Sequence, residues 1–217
     1  AGVSAGGELS GSSNAEAFHY DGSSWTAGGN INTNRNVATG FGIQTAGAIA
    51  GGHHPGLPNT VTDIHEQYNG TSWTEAADLN TGRGYLASAT LGTTTAALVM
   101  GGLINPELNP SPFGAVGEKD ESEEWNGTAW AEGSDLNTGR AVSTGAGTQT
   151  AALFIAGGDT AVANVEAYNG STWTEIADVN TAVNRSSSGG DQNDAIKASG
   201  NSSANVEQWD GTSWTEV

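Results

Sequence analysis

Two stretches of the sequence hold most of the side chains that could do chemistry. The first, "HHPGLPNTVTD", sets His53 beside His54, with Asn59 following. Imidazoles ligate metals, but adjacent histidines seldom turn toward one ion, and no third ligand is fixed by spacing. The stretch is therefore either part of a metal site or an exposed polar loop. The second, "LINPELNPSPFGAVGEKDESEE", carries Asn109, Phe113, Glu118, Asp120, Glu121, Glu123 and Glu124. Carboxylates this dense could take calcium through oxygen ligands; the alternative is a solvated acidic loop beside a Pro-rich one. Phe113, the one bulky aromatic of that insertion, either stacks on a ligand or anchors the loop. Asn59 and Asn109 add amide donors and acceptors of the kind a glycan site uses. These seven positions, His53, His54, Asn59, Asn109, Phe113, Glu118 and Asp120, are the candidate ligand-binding set.

Nothing in the sequence assembles a catalytic centre. There is no Ser-His-Asp constellation, no phosphate-cradling loop opening a helix, and no cysteine among the 217 residues, so thiolate chemistry and disulfides are excluded. Six Lys plus Arg against 24 Asp plus Glu leave a net charge of −18. That field repels phosphate backbones and anionic lipid surfaces, which argues against nucleic acid as a partner. No apolar run approaches the ~20 residues of a membrane helix, so no membrane insertion is expected, and no signal peptide is visible. No resident cofactor is expected, calcium apart.

The elements that must hold the candidate residues repeat. "YDGSSWTA", "YNGTSWTE", "WNGTAWAE", "YNGSTWTE" and "WDGTSWTE" recur, with five residues from the first aromatic to Trp25, Trp73, Trp130, Trp173 and Trp214. From each of the first four Trp to the second residue of the next small pair (Gly51-Gly52, Gly101-Gly102, Gly157-Gly158, Ser199-Gly200) is 27, 29, 28 and 27 residues. From the small pair to the next aromatic, beginning at Gly7, the intervals are 13, 16, 23, 10 and 9. All length variation thus falls in one connector. A fixed period means one supersecondary unit that stacks on its neighbours to bury its apolar face.

Each unit reads as four short antiparallel strands. Strand a starts at Arg35, Arg83, Arg140 or Arg185, strand b ends at the small pair, strand c is the "VEAY" type, and strand d carries the Trp. Asn-Gly or Asp-Gly between c and d predicts a type I′ turn; Asn169-Gly170-Ser171 also fits a glycosylation acceptor, but Asp21 and Asp210 in sister copies favour the turn. Helical periodicity is absent, and a period of 41 to 57 residues selects a β-propeller. The fold class is therefore all-β, a single five-bladed propeller over 1–217, with blades near 1–26, 27–76, 77–132, 133–176 and 177–217. The first unit begins at strand b, so its blade either lacks its innermost strand or is completed by the C-terminal region; a natively three-stranded blade and a piece of a longer array are both open. The two chain ends are expected to be neighbours. Glu66, Glu123, Glu166 and Glu207 stand two residues before the aromatic in every unit that has an Arg, and Phe18 takes that register in the first. A charge pair per blade is expected, both members having been lost from the first because an unpaired buried charge is costly.

The succession of Arg, strand, Gly-Gly, Val-Glu-x-Tyr, Asn-Gly and Trp resembles the kelch repeat over almost the whole chain. Its low-complexity style is similar to kelch-like arrays of bacteriophage and environmental microbes, and five-bladed tachylectin-type lectins share Trp-Asp-Gly repeats. The fifth unit departs from the pattern with Ser199-Gly200 and a polar strand a. The resemblance implies a propeller, and the residues argue against several family activities, a glycoside-active propeller enzyme being the lesser alternative. Without cysteine the Cys-Tyr site of copper-oxidase propellers cannot form. A sialidase needs clustered Arg, whereas the four Arg here sit at one repeat position. A glycoside-active propeller needs axial carboxylates, and "RNVATGF", "RGYLASAT" and "RAVSTGAG" contain none. In an antiparallel meander the b-to-c connectors and d-to-a links share one face, so the unrepeated residues gather there. The expected function is a non-enzymatic module recognising a glycan or a cell-surface protein through that face, as in an extracellular or virion adhesin. The alternative is a structural module decorating or joining a larger assembly such as a phage particle, in which the broad side of the propeller or its first blade carries the contact.

Overall fold

A computed structural model describes residues 1–9, 12–54, 61–104, 117–201 and 203–217. Five antiparallel blades form a β-propeller, with no helix among the described residues. The first contains β1 (Gly2–Ala5), β4 (Ala17–Tyr20) and β5 (Trp25–Ala27), with a small hairpin of β2 (Glu8–Leu9) and β3 (Ser12–Ser13) in its b-to-c connector. The second has β6 (Thr39–Ile43), β7 (Ala46–Ala50), β8 (His65–Tyr68) and β9 (Trp73–Glu75). The third has β10 (Ala87–Ser88), β11 (Ala97–Met100), β12 (Ser122–Trp125) and β13 (Trp130–Glu132). The fourth is β14 (Thr144–Thr148), β15 (Ala151–Gly157), β16 (Val162–Tyr168) and β17 (Trp173–Ile176), and the fifth is β18 (Ser187–Gly190), β19 (Ala195–Gly200), β20 (Ser203–Trp209) and β21 (Trp214–Glu216). The last strand completes the fifth blade, and the first blade stays three-stranded. The innermost strands begin later than the sequence suggests: Thr39 opens β6 four residues after Arg35, because the Arg backbone still belongs to the loop that turns into the blade.

Cohesion between blades comes from the Trp hairpins. Tyr68 lies opposite Trp73, Trp125 opposite Trp130, Tyr168 opposite Trp173 and Trp209 opposite Trp214. Ring centroids within a pair are 4.8 to 5.4 Å apart, inside the range of favourable aromatic contact. Each pair faces the preceding blade and packs on its strand b: Trp73 packs with Ile31 and Ile49 against Val3 and Ala5, and Trp214 with Val179 against Leu153 and Ile155. A glutamine in the a-to-b turn clasps the preceding blade, Gln44 Nε2 donating to the carbonyls of Gly2 and Tyr20 at 3.1 Å each and Gln192 to those of Ala152 and Tyr168.

The hairpin turn differs from the type I′ expectation. Only the glycine is left-handed (Gly70 φ 92°, Gly170 φ 89°), while the preceding Asn or Asp is not. Its side chain instead accepts two amides: Asn169 Oδ1 from Ser171 and Thr172 at 3.0 and 2.9 Å, Asp21 Oδ1 from Ser23 and Ser24 at 2.8 and 2.9 Å. One acceptor oxygen suffices for this Asx turn, which is why Asn and Asp interchange among the copies. The amides of Ser24 and Ser23 hold the exposed Asp21 carboxyl down at about 2.

The small pair is a second conserved geometry within the chain. Gly6-Gly7, Gly51-Gly52, Gly101-Gly102, Ala156-Gly157 and Ser199-Gly200 share φ of 52° to 68° and then 101° to 118°. In the fourth blade the pair is therefore Ala156-Gly157, not Gly157-Gly158, which restores the 27-residue interval from Trp130. The first position admits Ala or Ser in the αL region; the second is glycine throughout, since at Gly52 a Cβ would stand 2.7 Å from the Asn36 carbonyl oxygen.

Candidate functional site

The face bearing the unrepeated connectors is built on a buried carboxylate in each complete blade. Glu66 accepts from the Asn32 amide at 2.7 Å, the Asn32 side chain at 2.8 Å and the Thr33 amide at 3.3 Å, and pairs with Arg35 at 2.7 Å. Glu123 does the same with Asn80, Thr81 and Arg83, and Glu166 with Asn137 and Arg140. The Arg donates onward to carbonyls: Arg83 to Gly101 and Glu121, Arg140 to Asn164. These side chains are 0 to 3% exposed. A buried charge is tolerable when paired and well supplied with hydrogen bonds; the carboxylates meet both conditions, while the Nε of Arg35, Arg83 and Arg140 is buried without a partner. Burial pulls the Arg35 and Arg140 guanidinium pKa values down, with Glu66 and Glu166 opposing.

The fifth blade corrects the expected Arg185–Glu207 pair. Glu207 pairs with Lys197 at 2.9 Å, both fully buried, in a contact too far off axis to count as a hydrogen bond. Burial acts to raise the Glu207 pKa, but Lys197 and Asn180 outweigh it and hold the carboxyl low. Lys197 lies directly opposite Glu207, at the register that Ile49, Val99 and Phe154 hold in their blades. Val183 holds the Arg position: its carbonyl accepts from Gly157, as those of Arg83 and Arg140 accept from Gly52 and Gly102. The cation has moved from strand a to strand b. Counting from Asn-Thr rather than aligning on Arg would have found this, since Val183 follows Asn180 by three residues as Arg35 follows Asn32.

Arg185 therefore takes the register of Val37, Tyr85 and Val142, and these four share left-handed φ of 55°, 48°, 55° and 50° in that order. Positive φ is a true outlier for β-branched Val37 and Val142. It is imposed by a chain of hydrogen bonds around the axis: Tyr85 N–H donates to Val37 at 2.8 Å, Val142 to Tyr85 at 3.0 Å and Arg185 to Val142 at 2.8 Å. Inside the chain is a cup of about 230 Å³ lined by Val37, Tyr85, Leu86, Val142, Ser143 and Arg185. Of the six Lys and Arg, only Arg185 is exposed. Burial raises the Tyr85 phenol pKa, with Arg185 acting against it, so the hydroxyl remains a neutral donor and acceptor. The cup thus brings together the Arg185 guanidinium, the Tyr85 phenol and Ser143, whose hydroxyl donates to the Ala156 carbonyl at 2.9 Å, over an apolar floor.

The residues singled out from the sequence are dispersed. His53 is a bridge residue whose backbone pairs with Asn36 and Val61, and His54 next to it is half-buried. Glu118 is a latch, its Oε1 accepting from the Asp159 amide at 2.9 Å and the Ala141 amide at 3.3 Å. Asp120 is exposed, and its carbonyl receives the Leu136 amide. Asn59, Asn109 and Phe113 lie outside the described residues. Glu121 pairs with Lys119 at 3.0 Å, Glu123 is spent in the buried hub, and Glu124 accepts from the Tyr168 hydroxyl. No three His, Asp or Glu side chains converge for a metal among the described residues. No helix among them is long and apolar enough to cross a membrane. No protein-family model matches the sequence, and no curated protein matches it.

Proposed function

We propose that this propeller is a non-enzymatic recognition module that binds a glycan or a partner-protein surface at its variable-loop face, centred on the axial cup. The observation that carries the reading is the placement of Arg185 and Tyr85 at the cup, on the same face as every connector of unequal length. A carboxylate or a cluster of hydroxyls suits the three polar groups, and the surrounding negative charge makes one exposed guanidinium a selective contact. The kelch-like pattern of the repeat agrees with a binding scaffold, as does a backbone that groups Val37, Tyr85, Val142 and Arg185, all left-handed, at one site. An adhesin of an extracellular or virion surface is the context such a module fits.

The test is a glycan array and a panel of host-surface proteins, probed with and without calcium. The variants are Arg185→Ala and a chimera in which residues 105–116 give way to a short connector, leaving the Glu118 latch intact. The reading expects a hit that weakens at least about tenfold with Arg185→Ala, the loss typical of a charge-assisted contact. A hit indifferent to both changes would rule out the face. A structural role in an assembly is the second reading, favoured by the exposure of Trp25 and Phe18 on the first blade.

A further inference from the structure

Three of the five hairpin turns carry Asn before the left-handed glycine, Asn69-Gly70, Asn126-Gly127 and Asn169-Gly170, and all three asparagines are exposed. In Asn-Gly a backbone amide comes close to a side-chain carboxamide with no Cβ to obstruct the approach. The turns supply more than the glycine. In each, two main-chain amides donate to the Asn Oδ1: those of Thr71 and Ser72 at 3.0 and 2.9 Å, of Thr128 and Ala129 at 2.9 and 3.0 Å, and of Ser171 and Thr172 at 3.0 and 2.9 Å. That oxygen is where negative charge gathers when a nucleophile adds to Cγ, and paired N–H donors at such distances stabilise it. The nucleophiles in question, the amides of Gly70, Gly127 and Gly170, make no hydrogen bond among the described residues. The turns differ at the leaving group. Asn69 Nδ2 donates to Ser72 Oγ at 3.3 Å and Asn169 Nδ2 to Thr172 Oγ1 at 3.2 Å. Position 129 is alanine, so Asn126 Nδ2 has no such acceptor. A carboxamide held at both ends keeps its plane, whereas one held by Oδ1 alone pivots about that bond and brings Cγ over the glycine nitrogen.

We propose that Asn126 is a site of spontaneous covalent modification, deamidating ahead of Asn69 and Asn169. The Gly127 nitrogen bonds to Asn126 Cγ, the Cγ–Nδ2 bond breaks, and Nδ2 leaves as ammonia with the proton that Gly127 gives up. Water then opens the cyclic imide. Cleavage at Cγ restores the main chain and leaves an aspartate; cleavage at the main-chain carbonyl leaves an isoaspartate. The chain itself shows that aspartate fits. Asp21 and Asp210 hold the same turn, each Oδ1 accepting two amides, from Ser23 and Ser24 or from Thr212 and Ser213, at 2.8 to 2.9 Å. The Ser24 amide and the Thr212 hydroxyl lead the contacts that hold these two carboxyls down at about 2. An ionised carboxylate is a poor electrophile, so the chemistry stops at the aspartate turn, with one negative charge added to the blade. Isoaspartate instead puts an extra methylene into the main chain between Trp125 and Trp130, which lie opposite one another across the hairpin. This inference concerns the repeated turns and does not depend on the cup.

The protein is aged in mildly alkaline buffer, both folded and in urea, and its digests are followed by tandem mass spectrometry that separates aspartate from isoaspartate. In the folded protein Asn126 should convert about fivefold faster than Asn69 and Asn169, the rate that one missing hydrogen bond is worth. In urea the three sites should converge, because the second hydrogen bond belongs to the folded turn. Ala129→Ser supplies the absent hydroxyl and should slow Asn126 to the rate of its sisters. Ser72→Ala removes one and should speed Asn69 to the rate of Asn126, with Asn169 unchanged as the internal standard. Equal rates in the folded protein, or Asn126 lagging behind, overturn the proposal. A ranking that persists in urea, or that Ala129→Ser leaves unchanged, overturns it too, since the difference would then lie in the neighbouring sequence and not in the turn.

Discussion

Acidification should destabilise this protein through one histidine well before its carboxylates titrate. His65 is 0% exposed, its ring edge-on to Trp125 at 4.7 Å and to Trp130 at 5.4 Å. Burial pushes its pKa down from 6.5 to about 4, the Ala77 carbonyl opposing. The unfolded chain takes up this proton near pH 6.5 and the folded chain only near pH 4. Stability is therefore full above about 6.5 and falls as the pH drops toward 4. At 1.36 kcal/mol per pH unit, a gap of about 2.5 amounts to about 3 kcal/mol, of which about 2 kcal/mol is lost by pH 5. For a chain of this size that is a fall in Tm of about 4 to 8 °C. His65→Val is the matched control, since Val165 and Val206 hold the same register in the fourth and fifth blades. Urea unfolding followed by tryptophan fluorescence, between about pH 7.5 and about pH 5, should show the wild type losing about 2 kcal/mol more than the variant. Parallel curves, within about 0.5 kcal/mol of one another, would refute the reasoning.

Relocation of the cation in the fifth blade yields a double-mutant cycle: Val183→Arg crowds Lys197, Lys197→Ile strands Glu207, and each should cost about 2 to 4 kcal/mol in urea unfolding. The pair together recreates the arrangement of the other blades and should return to within about 1 kcal/mol of wild type; additive losses would show that the two positions are not coupled. Arg83→Ala leaves Glu123 buried without its cation and should cost about 3 to 5 kcal/mol by the same assay. Gly52→Ala, at φ 108° and 2.7 Å from the Asn36 carbonyl, should cost about 2 to 3 kcal/mol, against less than about 1 for Ala156→Gly, and thermal melts distinguish them.

The sequence disclosed the fold through what recurs. Trp25, Trp73, Trp130, Trp173 and Trp214 fall at a fixed distance from an aromatic because each must stack across one hairpin, and that constraint is local. The ion pairs of Arg35, Arg83 and Arg140 were legible for the same reason, the Glu register being fixed by strand c. The fifth pair was misplaced because a buried carboxylate needs a cation in space, not at one position; Lys197 meets the need from the neighbouring strand. The cup was hidden altogether. It depends on positive φ at Val37, Tyr85 and Val142, side chains that give no sign of a left-handed backbone, and on a chain of hydrogen bonds between blades that exists only once they are assembled. The 55% exposure of Trp25 was equally invisible, because its turn follows the same pattern as those of four sisters that are 5 to 6% exposed.

The claim that recognition belongs to the unrepeated face is most directly tested by measuring one bound ligand against two variants side by side. One is Arg185→Ala at the cup, and the other replaces Thr71 and Ser72 with alanine in the repeated turn on the opposite face. The account predicts that affinity falls at least about tenfold in the first and stays unchanged in the second. Loss of binding in the turn variant with Arg185→Ala unaffected would contradict it.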